Sequence, residues 1–91
     1  MEYSSFQGGI ILFNRFNSHF GGDLVNARLK KGFSQAAAAE AAGISVREYQ
    51  RIEKGTSQVK VEPFLRLVFF FDLEIENYRK VVFPDETVSP H

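Results

Sequence analysis

The stretch that decides the fold reads SQAAAAEAAGISVREYQRIEKG, residues 34–55. Ser34 offers an N-cap oxygen, and six of the seven residues from Ala36 to Ala42 are alanine, the best helix former. Gly43 then supplies the left-handed residue that ends a helix. Ser45-Val46-Arg47-Glu48 has the spacing of a capping box, in which the Ser45 oxygen and the Glu48 carboxylate each bind the other's backbone amide. A second helix therefore starts at Val46 and stops at Lys54, before Gly55. Only Gly43 and Ile44 separate the first helix from the N-cap of the next. Two short helices joined so tightly must cross steeply, and the alanines let their backbones approach.

Upstream, Ser18 reads as an N-cap, and Phe20, Leu24 and Ala27 follow at helical intervals, with Leu29 or Phe33 next, up to Gly32. Arg28, Lys30 and Lys31 fall in the last turn, where the helix dipole favours cations. Gly8-Gly9 is expected to break any earlier helix. Residues 1–17 therefore read as an apolar arm holding Phe6, Ile10, Ile11, Leu12, Phe13 and Phe16. Strand and helical turn both stay open for Gly9 to Phe13. Left in water these groups would aggregate, so the arm is expected to cover the side of the fourth and fifth helices, within one chain or across a dimer interface.

Downstream, Thr56 to Lys60 is a polar loop and Pro63 suits a first helical turn. Phe64, Leu67, Val68 and Phe71 form the stripe of a fourth helix. Ile75, Tyr78 and Val82 mark a fifth, which stops before Pro84. The expectation is an all-α, five-helix domain over residues 18–83, with its helix-turn-helix at 34–54 and a flexible tail at 84–91.

Ninety-one residues make one domain with a modest core. The absence of cysteine excludes disulfides and thiolate metal sites, and it suits a reducing cytoplasm. The longest apolar runs, Ile10 to Phe13 and Leu67 to Phe71, are far too short to span a bilayer, so no membrane partner is expected. The N-terminus also lacks the pattern of a secretory signal. Net charge is zero but unevenly spread. Residues 21–60 hold seven basic side chains against four acidic ones, whereas residues 61–91 hold three against six. A basic middle followed by an acidic end is a polarised molecule.

Catalysis finds no support. His19 and His91 are the only histidines, and neither lies near a cysteine, a paired histidine or a helical carboxylate cluster with ligand spacing. Gly8-Gly9 and Gly21-Gly22 are isolated doublets rather than phosphate-binding fingerprints. The chain reads as a non-enzyme without a cofactor.

From Phe20 to about Tyr78 the chain resembles the Cro and lambda-repressor type of helix-turn-helix domain, the XRE family. The matching residues are Phe20-Gly21, Leu24, Arg28, Gly32-Phe33-Ser34-Gln35, Ala39, Gly43-Ile44-Ser45, Tyr49, Ile52-Glu53 and Gly55, then Phe64-Leu65, Phe71 and Leu73. Ala38 and Ala42 depart from it, standing where relatives carry larger aliphatics. Asp72 replaces a glycine, so a rearranged end is expected for the fourth helix.

The resemblance implies roles. Val46, Arg47 and Arg51 match base-reading positions of a recognition helix. Gln35 matches a position that touches DNA backbone, where helix amides also favour phosphate. Lys54, Thr56, Ser57 and Lys60 would add phosphate contacts that set register. Arg28 and Glu53 match a pair that ties the first helix to the end of the third. The residues themselves put Arg47 and Arg51 at i and i+4 on one helix face, suited to guanine O6 and N7. A solvated surface with Glu48 as partner fits the same spacing. The implied function is sequence-specific transcription regulation by a repressor of phage, plasmid or antitoxin type, binding double-stranded DNA as a homodimer. The alternative is a protein-interaction module that grips a toxin or another regulator. An acidic C-terminal third and surplus aromatics at Phe69, Phe70 and Phe83 favour it.

Overall fold

The computed structural model describes residues 2–83, with side chains from Arg15 onward. Helix formers alternating with left-handed glycines cut the chain into α1 (Glu2–Lys31), α2 (Gln35–Ala42), α3 (Val46–Lys54) and α4 (Val61–Phe70). A 3-10 turn (Ile75–Tyr78) then runs into the single-turn α5 (Arg79–Val82). Among the described residues every regular element is helical. The tail at 84–91 lies outside them.

The local stops are those expected. Ser34 Oγ accepts from the Ala37 amide and Ser45 Oγ from the Glu48 amide, both at 3.0 Å. Gly43 and Gly55 sit at φ 75° and 78°. At each, the glycine amide and the following amide close onto carbonyls of the preceding turn, which satisfies the helix end.

The core gathers one stripe from each helix. Phe20 and Leu24 of α1 meet Ala38, Ala39 and Ala42 of α2, Tyr49 and Ile52 of α3, and Leu67, Val68 and Phe71 from α4 and its end. The small α2 residues are compensated by aromatics: Phe20 and Phe71 are among the largest fully buried side chains. Phe33 stays partly exposed, with its ring 4.9 Å from that of Phe70. Phe70 is therefore not surplus.

The N-terminal third departs from expectation. α1 neither begins at Ser18 nor breaks at Gly8-Gly9; it is one helix of 30 residues. An interior glycine costs only about 1 kcal/mol relative to alanine. Once a helix is nucleated and anchored by packing, each added residue gains a hydrogen bond. Gly9 to Phe13, left open above, is thus helical. The side chains of Phe6, Ile10, Ile11, Leu12 and Phe13 lie outside the described residues. Phe16 does pack within the chain, its ring 5.7 Å from those of Phe20, Phe64 and Tyr78.

The end of α4 also differs. Asp72 adopts the left-handed conformation itself, at φ 55°, and the Leu73 amide still reaches the Val68 carbonyl at 2.8 Å. The helix end keeps a glycine-like geometry without the glycine, because aspartate tolerates this region better than most residues.

Candidate nucleic-acid interface

The third helix is held in place from behind. Gly21 of α1 packs so tightly on its end that a Cβ there would stand 2.5 Å from the Glu53 carbonyl oxygen and 2.6 Å from that of Ile52. About two turns later, Arg28 reaches the same residue. Its Nε and Nη2 donate to the two Glu53 carboxylate oxygens at 2.6 and 3.2 Å, a bidentate pair whose side chains are 13% and 5% exposed. Arg28 Nη1 also donates to the Phe33 carbonyl, tying in the loop before α2.

Burial alone would raise the Glu53 pKa. Hydrogen bonding and the nearby guanidinium outweigh it and hold the carboxyl below its ordinary range. Tyr49 is fully buried beside this pair. Its hydroxyl lies near Glu53 but falls short of a hydrogen bond of standard geometry. Burial, with the adjacent carboxylate, pushes the phenol well above its usual value and keeps it neutral.

The chain of contacts continues outward. Gln35 Nε2 donates to Glu53 Oε1 at 2.9 Å, and Gln50 Nε2 donates to Gln35 Oε1 at 3.0 Å. The Gln35 side chain, expected at DNA backbone, is therefore engaged at both ends within the protein. In the first turn of α2 the Ser34 cap takes the Ala37 amide and leaves the Gln35 and Ala36 amides outside these contacts.

Val46, Arg47, Gln50 and Arg51 are all exposed, and their spacing puts them on the outer face of α3. Glu48 does not complete the capping box. Its carboxylate instead accepts from Ser57 Oγ at 2.7 Å and lies 3.8 Å from Arg51 Nη1. The loop hydroxyl and the arginine use different oxygens of that carboxylate, Oε2 and Oε1, so one side chain serves both. Thr56 Oγ1 donates to the Arg51 carbonyl at 3.3 Å. The hydroxyl hydrogens of Thr56 and Ser57 are thus used internally, while Lys54 and Lys60 stand exposed at the two ends of this loop. The sequence reading placed Arg47 and Arg51 on this face but missed Gln50. Its spacing, four residues after Val46 and three after Arg47, was the available signal.

An exposed helix with two arginines, crossed by a short α2 and buttressed by a buried ion pair, is the geometry of a DNA reader. The helix-turn-helix family profile matches residues 24–76. The chain belongs to that family, in its Cro and lambda-repressor branch. This helix-turn-helix protein is accordingly a DNA-binding one with a transcription-regulatory role. No curated protein and no solved structure gave a significant match. Among the described residues no helix is long and apolar enough to cross a membrane.

Proposed function

We propose that the protein is a sequence-specific repressor that reads a two-fold related operator as a homodimer in the cytoplasm, without catalysis or a cofactor. Each α3 would enter a major groove, with half-sites about 34 Å apart. The observation that carries this reading is the outer face of α3. Arg47 and Arg51 project from a helix whose position is fixed by Gly21 and the Arg28–Glu53 pair. Arg47 and Arg51 would read guanine edges, with Val46 offering an apolar contact to a thymine methyl. Lys54 and Lys60 would contact phosphates through their amines, joined by Gln35 and Ser57 through backbone amides, whereas both Thr56 donors already meet the Arg51 carbonyl. The test is selection of bound sequences from random duplex DNA, followed by titration across salt. Enrichment of a palindromic sequence, bound more weakly as salt rises, is expected. Equal binding of all duplexes, or none, contradicts the reading.

A second reading has its own observation. Phe69 is 71% exposed and Phe83 62%, more apolar surface than DNA reading uses. A protein partner such as a toxin or another regulator would bind there. Such binding should be nearly independent of salt, and one protein can do both.

A further inference from the structure

We infer that Gln50 is a base-reading residue specific for adenine, and that its amide is set to read adenine by a hydrogen-bond relay anchored at Glu53. The inference rests on the DNA-reading role proposed above and adds a residue and a base to it.

The argument begins at the buried end. Glu53 is ionised, since Arg28 binds both of its oxygens and its pKa is held low. An ionised carboxylate only accepts. Gln35 must therefore turn its NH2 group toward Glu53, as its 2.9 Å contact records. That leaves Gln35 Oε1 facing outward, where it can only accept. Gln50 must then offer its own NH2 group, and it does so at 3.0 Å. Either glutamine alone could flip its amide at little cost. Joined in this order, neither can flip without placing oxygen against oxygen.

The consequence falls on the solvent side of Gln50. One amide hydrogen is held by Gln35. Oε1 and the second N–H remain side by side on an exposed α3 residue flanked by Arg47 and Arg51. An acceptor beside a donor needs a donor beside an acceptor. In the major groove adenine presents that pair, with its N6 amino group next to N7. Guanine presents two acceptors, which would oppose Oε1. Cytosine offers a lone donor, and thymine an acceptor with a methyl group. Gln35 is thus a positioning residue, and the Arg28–Glu53 pair sets polarity at the DNA surface as well as joining helices.

Selection from random duplexes by the full chain tests this, with base preference read position by position for the wild type, Gln50→Ala and Gln35→Met. The wild type is expected to prefer A·T at one position by roughly five- to 150-fold. Gln50→Ala, at an exposed site, should abolish that preference alone. Gln35→Met should weaken the same preference, whatever it does to overall affinity, while the other positions keep theirs. A merely structural Gln35 would shift all positions together or none. Thermal unfolding of each variant checks that it folds. An unchanged profile for Gln50→Ala, a Gln50-dependent preference for another base, or full preference in Gln35→Met would overturn the inference. If Arg51→Ala still alters its own position in that case, the DNA-reading proposal survives. If the wild type enriches no sequence, both fall.

Discussion

Gly21 packs directly on the backbone of Glu53: the space a Cβ would need at Gly21 is already filled by the Glu53 carbonyl oxygen, 2.5 Å away. No side chain can relieve such a clash by rotating, since the opposing atom is backbone. Gly21→Ala must push α1 off α3 and loosen the Arg28–Glu53 pair, for about 3 kcal/mol of destabilisation. Gly22 is the internal control. A Cβ there meets nothing within 4 Å, so Gly22→Ala should stabilise the helix by about 0.5–1 kcal/mol. Urea unfolding of the two variants should show midpoints moving in opposite directions. Movement in the same direction would contradict the packing.

The Arg28–Glu53 pair should behave as a buried unit. Removing either partner leaves a desolvated charge, at about 3 kcal/mol. Removing both should be far less than additive in a double-mutant cycle. The pH dependence follows from the direction of the Glu53 shift. A carboxyl whose folded pKa is depressed contributes stability that is full above its unfolded value near 4.3. That stability is lost as pH falls through the lower folded value. Urea titrations from neutral pH down to about 3 should show this acid loss in the wild type and a flatter profile in Glu53→Gln.

Asp72 holds a left-handed backbone where glycine would be unstrained. Its contact with Lys31, at 3.7 Å and with the carboxylate 87% exposed, contributes little in return. Asp72→Gly is therefore expected to stabilise the fold by about 1 kcal/mol, read as a higher thermal midpoint. A lower midpoint would mean that the Lys31 contact outweighs the strain.

What the sequence made legible was the local punctuation. Ser34, Gly43, Ser45 and Gly55 act on their own neighbours within a few residues, so their roles can be read along the chain. The Arg28–Glu53 pairing, 25 residues apart, was available only through family resemblance. Longer-range relations escaped for a physical reason. The Gln50–Gln35 bond depends on the crossing of α2 and α3. The Ser57–Glu48 bond depends on a loop folding back nine residues later. The doublet Gly8-Gly9 misled because glycine weakens a helix by a small, local amount that a long anchored helix absorbs.

The reading face carries the central claim. Arg47→Ala and Arg51→Ala should each cost about 1–3 kcal/mol on the selected duplex and relax preference at one position. Lys60→Ala should weaken all duplexes alike and flatten the salt slope. The most direct measurement is equilibrium titration of Arg51→Ala against the selected duplex and a scrambled one of equal length. The ratio of the two affinities should fall toward one through loss on the selected duplex alone. Wild-type affinity for both duplexes, in Arg51→Ala and Arg47→Ala alike, would contradict α3 as the reader.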